Sequence, residues 1–202
     1  WAKDAGLECQ VFDKPWMAID TTHGIGRGNL YLSADYSLLR AMVQTKGFQF
    51  MDAVMPLWPS LSVGPDGTLY ATGRDIAFAR CKNVQYIDQE PICDYISEFT
   101  PDFVIFGGNP GWPNGALHGM IWVGTDHSSG LTHGNVYLLG NVFHSFEDRA
   151  DLVFRKSTDG GTTWTDAIRV HDDVLNNGAW QWFGMMSVAP NGRIDVIWND
   201  TR

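Results

Sequence analysis

The chain repeats itself, and the repeat restricts its fold more than any other feature. Residues Met120 to Asn141 copy Asp13 to Asp35 at a fixed offset of 106: Trp16 falls on Trp122, Asp20 on Asp126 and Gly24 on Gly130. Gly28-Asn29-Leu30-Tyr31-Leu32 falls on Gly134-Asn135-Val136-Tyr137-Leu138. A second pair of segments, Trp58 to Asp75 and Trp182 to Asp200, sets G-P-D-G-T-L-Y-A-T-G-R-D against A-P-N-G-R-I-D-V-I-W-N-D. In each segment an apolar alternating run meets a turn signal and a second alternating run follows, which is the pattern of a β-hairpin. Four hairpins of two alternating kinds are therefore expected, and self-similarity at this scale points to a repeat architecture.

The glycines that open the second strand of each hairpin, Gly28, Gly67, Gly134 and Gly192, lie 39, 67 and 58 residues apart. A four-stranded unit takes roughly 40 to 50 residues, so the wider gaps predict inserted loops rather than extra units. Between the third and fourth hairpins stands S-T-D-G-G-T-T-W, Ser157 to Trp164, flanked by the strand-like runs L-V-F-R-K and A-I-R-V. Asp159 is placed to fold its carboxylate onto nearby backbone N–H groups, and the Gly pair supplies the positive φ of a tight turn. This octapeptide carries all five defining positions of the Asp-box, or BNR repeat, namely Ser157, Asp159, Gly161, Thr163 and Trp164. The chain thus resembles the sialidase-like β-propellers, in which that box joins the third and fourth strands of a blade. The resemblance implies an all-β fold of four-stranded antiparallel blades, with about three full and two partial blades in this chain. It also implies that the box is architectural. In the first blade the same place is held by a degenerate stretch with Lys46-Gly47, and the second has no box.

All 202 residues read as one propeller domain, 1-202, truncated at both ends: Trp1 to Phe12 resembles the strand after a box, and Val196 to Arg202 closes a second strand. The remaining blades are expected in further sequence or on another chain.

Composition fits many short strands around a large core: 44% hydrophobic residues, nine Trp, eleven Phe and six Tyr, with 22 Gly and nine Pro for turns. The net charge of −9 argues against a nucleic-acid backbone as partner, because phosphate binding needs clustered Lys and Arg. No run of 18 apolar residues offers a membrane span. Cys81 and Cys93 read either as a local disulfide of a secreted protein or as two buried thiols.

The resemblance implies a glycan ligand, an extracellular or cell-surface location, and a glycosidase of sialidase type or else a non-catalytic carbohydrate- or protein-binding module. Sialidases hold a carboxylate with three Arg, use a Tyr-Glu nucleophile pair and an Asp acid/base, and carry an F-R-I-P signature. That signature does not occur here, so no catalytic residue transfers by motif. From the residues themselves, the catalytic candidates are Arg74 and Asp75, just past a second strand, and His118. Asp75 reads more simply as a turn cap, because Asp35, Asn141 and Asp200 recur at its place. The ligand-binding candidates sit in the Gly/Pro-rich insertion Phe106 to Met120, where Trp112 could stack on a sugar and Asn109, Asn114 and His118 could meet its hydroxyls. Trp112 reads alternatively as a plug closing the loop onto the core. His127 and His133 lack a third ligand in any metal-site spacing, and no cofactor is called for.

Overall fold

The computed structural model describes residues 15–34, 37–42, 49–56, 58–73, 77–96, 121–142 and 150–202. They form strands and turns with no α-helix, so none of them makes a helix long and apolar enough to cross a membrane. Three four-stranded antiparallel sheets follow in chain order. The first holds β1 (Trp16–Ile19), β2 (Leu30–Ala34), β3 (Ser37–Ala41) and β4 (Gln49–Val54). The second holds β5 (Ser60–Val63), β6 (Leu69–Thr72), β7 (Phe78–Lys82) and β8 (Ile92–Ile96). The third holds β9 (Trp122–Thr125), β10 (Val136–Val142), β11 (Asp151–Ser157) and β12 (Ile168–Arg169). A two-stranded sheet of β13 (Gln181–Val188) and β14 (Ile194–Asp200) completes the set. Each sheet is a simple meander, and no sheet closes on itself. The partial unit expected over Trp1 to Phe12 lies outside the described residues.

The repeat at offset 106 holds in the hydrogen bonds that close each turn. Asp20 N donates to Asn29 O (2.9 Å) and Gly28 N to Asp20 O (2.7 Å), while Asp126 N donates to Asn135 O (3.0 Å) and Gly134 N to Asp126 O (2.9 Å). Inside each loop the carboxylate caps a backbone amide two residues on: Thr22 N to Asp20 Oδ1 at 2.8 Å, Ser128 N to Asp126 Oδ1 at 2.7 Å. Trp16 pairs with Ser33 and Trp122 with Leu139, so the register is the same in both. The short hairpins match as well, with Thr68 N donating to Asp66 Oδ1 and Arg193 N to Asn191 Oδ1. Gly28, Gly67, Gly134 and Gly192 share φ near +80° (84°, 81°, 80° and 82°), a conformation that disfavours any Cβ.

The sheets are stacked in sequence. First strands meet one another, β1 against β5, β5 against β9, β9 against β13, and a hydrophobic core fills each junction. Tyr31, Leu38 and Met55 of the first sheet pack with Leu61, Val63 and Leu69 of the second. Tyr70 and Phe78 of the second pack with Val123, Val136 and Leu138 of the third. Tyr137, Leu139 and Leu152 of the third pack with Met186 of the fourth, flanked by Val188, Ile194 and Val196. Alternation at period 2 explains this: each strand gives one face to the preceding sheet and the other to the following one. Buried on both sides, the central strands β6 and β10 are apolar almost throughout.

Candidate functional site

The Ser157 to Trp164 segment folds as its composition requires. The Asp159 carboxylate accepts four hydrogen bonds: from Ser157 Oγ (2.7 Å), Thr162 N (3.0 Å), Thr163 N (2.8 Å) and Thr163 Oγ1 (2.6 Å). The Thr163 hydroxyl first, then the Thr163 amide and Ser157, hold this carboxyl down to about 2. Ser157 Oγ in turn accepts from Gly161 N (2.8 Å), and Trp164 Nε1 donates to Gly161 O (3.2 Å). The turn is also bound to the neighbouring sheet. Arg80 on β7 donates to Gly160 O (3.0 Å) and Thr162 Oγ1 (2.9 Å) and pairs with Asp94 (2.8 Å), while Phe78 meets Trp164 edge-on at 5.1 Å. Both carboxylate oxygens of Asp159 are thus engaged by the turn's own donors, Oδ1 by three and Oδ2 by one. A solvent-open cavity of about 500 Å³ lies against this turn, bordered by Tyr70, Arg80, Lys82 and His133.

A different cavity lies where the sheets converge. It holds about 470 Å³ and is lined by Trp16, Trp122, Phe183, Met185, Ile197, Trp198 and Asn199, together with Gly184. Trp16 and Trp122, repeat counterparts two sheets apart, meet edge-to-face with ring centroids 4.9 Å apart. A β-bulge between Trp182 and Met185 turns Phe183 into the lining, and Phe183 takes φ 51°, a strained value for an aromatic residue. The Trp198 indole N–H is directed to Asp200 Oδ2 at 3.4 Å, leaving its ring as wall rather than donor. Such a cleft presents broad π faces with one amide, Asn199, for orientation; its size suits a small ligand.

Beside it a buried polar cluster ties the third and fourth sheets. His171 Nε2 stands 3.1 Å from Asp151 Oδ1, and its Nδ1 meets Asp173. Gln181 Nε2 donates to Asp173 Oδ2 (3.2 Å) and Asp200 Oδ1 (3.3 Å), and Asn141 donates to Gln181 O. Burial opposes ionisation of Asp173, yet hydrogen bonds from Asn177 and His171, with the imidazole charge, hold its pKa below the ordinary value. Asp200 also caps Arg202 N (2.9 Å), the turn-capping role read from its recurrence in sequence.

Arg74, Asp75, Asn109, Trp112, Asn114 and His118 all lie outside the described residues. His127 and His133 are within them and bond to the backbone, His127 Nε2 to Val63 O (2.7 Å) and His133 Nδ1 to Ser128 O (2.6 Å). No group of three or more His, Cys, Asp or Glu among the described residues is arranged to hold a metal ion. Tyr31 and Tyr70 are buried, which pushes each phenol up to about 12, and burial raises Tyr137 as well. Cys81 and Cys93 form a disulfide across β7 and β8, resolving the two readings in favour of the bridge. Reading by sequence did not bring Trp198 to Trp16 and Trp122, nor His171 to Asp151 and Asp173. The offset between Trp16 and Trp122 was the one legible sign.

No family model and no curated protein matches the chain.

Proposed function

We propose that this chain forms blades of a sialidase-like β-propeller, secreted or displayed at the cell surface, that binds or processes glycans. The observation that carries the reading is the aromatic cleft of Trp16, Trp122 and Trp198 with Asn199 at its edge. The apolar face of a pyranose stacks on indole, and a side-chain amide can orient its hydroxyls. Three further features support it. The sheets succeed one another through their first strands, as blades do. Ser157 to Trp164 has the hydrogen bonding that an Asp-box would need. The Cys81–Cys93 disulfide suits an oxidising compartment.

Binding is the better supported half, since the lining is aromatic and aliphatic with a single amide. Catalysis would draw on Arg74, Asp75 and His118. The test is calorimetric titration with lactose and 3′-sialyllactose, followed by Asn199→Ala. Loss of one hydrogen bond should weaken binding about tenfold with the melting temperature unchanged. If no glycan in a broad panel binds, the reading is wrong. Release of 4-methylumbelliferone from a sialoside, abolished by Asp75→Asn, would establish hydrolysis; its absence from a glycan-binding protein would leave the non-catalytic module.

A further inference from the structure

The cavity of about 500 Å³ beside the Ser157 to Trp164 turn is walled by two successive sheets of the chain. The β5–β6 hairpin and β7 form one side, and the β9–β10 loop and the turn itself form the other. Several polar groups on these walls are occupied by the chain. Asp66 accepts from Thr68 N on Oδ1 (3.0 Å) and from the Thr68 hydroxyl on Oδ2 (2.8 Å). Asp159 is engaged by its own turn, and Arg80 by Asp94, Gly160 O and Thr162 Oγ1. At Gly160 no side chain fills the space: a Cβ there would stand 3.3 Å from the Tyr70 hydroxyl, and Tyr70 lines the cavity as well.

Three lining groups have no such duty. Side chains alternate along β7, so Lys82 shares a face with Arg80, and its exposed ammonium pairs with no carboxylate among the described residues. His133 donates its Nδ1 hydrogen to Ser128 O (2.6 Å), because a carbonyl can only accept, and Nε2 of this exposed ring is left open. Thr158 is exposed between Ser157 and Asp159, and its hydroxyl bonds to no group among the described residues. A cation, an imidazole nitrogen and a hydroxyl that the fold does not use, set around one cavity, are the convergent polar groups of a ligand site.

The lining also narrows the chemistry of the ligand. A bare anion would meet Lys82 but also the carboxylates of Asp66 and Asp159, which repel it. A neutral polyol would find hydrogen-bond partners and leave the ammonium without a counter-charge. A hydroxylated carboxylate answers both: its acid group pairs with Lys82, and its hydroxyls donate to the remaining lone pairs of Asp66 and to His133 Nε2 and accept from Thr158. We infer that this cavity binds the uronate unit of an acidic saccharide, at a second site apart from the aromatic cleft. The volume falls within the ~300–1,000 Å³ of small-ligand sites. The inference does not depend on what the aromatic cleft binds.

The test is an NMR titration of the 202-residue chain with methyl β-glucuronide, with methyl β-glucoside and acetate as the two halves of the match. The glucuronide should shift the His133 ring signals and the Thr158 and Gly160 amides saturably, with a Kd of about 1 mM. The glucoside and acetate should each bind about tenfold more weakly or worse, since each leaves part of the lining unmatched. Lys82→Met keeps the side-chain length at an exposed position and removes the charge; it should weaken the glucuronide about tenfold and leave the glucoside unchanged, while Lys82→Arg retains binding. No saturable shift, equal binding of glucuronide and either control, or undiminished binding by Lys82→Met would each overturn the inference. Shifts confined to the indoles of Trp16, Trp122 and Trp198 would place the saccharide in the aromatic cleft and overturn it too. Binding of 3′-sialyllactose in the cleft is read from those indole signals, so the two sites succeed or fail on separate readouts. Unchanged dispersion of the backbone amide signals verifies that each variant is folded.

Discussion

Gly161 and Gly134 both lie in the left-handed region, with φ 88° and 80°, but only one of them is also crowded, and that contrast supports a quantitative prediction. A Cβ at Gly161 would stand 2.4 Å from Phe78 Cζ and 2.5 Å from Phe78 Cε1, whereas a Cβ at Gly134 would meet nothing within 4 Å. Gly134→Ala should therefore incur the backbone term alone, about 1 to 2 kcal/mol. Gly161→Ala should incur the same term plus overpacking against a ring that cannot yield. Phe78 is buried, stacked on Tyr70 at 5.7 Å and held edge-on by Trp164 at 5.1 Å, so a further loss of about 1 to 3 kcal/mol is expected. Gly161→Ala in total should cost about 2 to 5 kcal/mol. Urea denaturation followed by tryptophan fluorescence measures both variants. In a Phe78→Leu background the penalty of Gly161→Ala should shrink towards that of Gly134→Ala, because the steric partner is gone while φ is unchanged. Equal penalties for the two glycines in the parent chain would refute the argument that the Ser157 to Trp164 turn is seated on Phe78.

Acid should weaken the same turn. Asp159 titrates at about 2 in the folded chain against 3.8 in the unfolded one, so its stabilising contribution is whole above the unfolded value and is lost as pH falls towards 2. Urea midpoints of wild type and Asp159→Asn should therefore differ near neutrality and converge in that acid window, and a constant difference would count against the hydrogen-bond network. Reducing Cys81–Cys93, which closes a loop of sequence separation 12, should lower stability by about 3 kcal/mol. Denaturation with and without a reductant, using Cys81→Ala/Cys93→Ala as the unreactive control, tests it.

How much of this was legible in the sequence follows from the range of the interactions involved. Hairpins depend on turn residues and alternation within a few positions, so Asp20 and Asp126, Gly28 and Gly134, and the Asp159 turn could be read from the chain. The strand-opening glycines were equally readable, since they are written in local chemistry. What joins the sheets was not. Arg80 reaches Gly160 across 80 residues, and Trp16 reaches Trp122 across a whole intervening sheet. His171 finds Asp151 because β11 and the segment after β12 run side by side, and no spacing in the sequence announces it. The candidates read from composition, Trp112 and His118 in their Gly/Pro-rich insertion and Arg74 beside Asp75, fall outside the described residues, while the cleft that is described is built from residues of β1, β9, β13 and β14. Sequence by itself determined the hairpins, their two kinds and their alternation. The tertiary structure decided which aromatic faces meet and which stay bare, because packing depends on distances between strands far apart in the chain, and local residue preferences do not encode those distances.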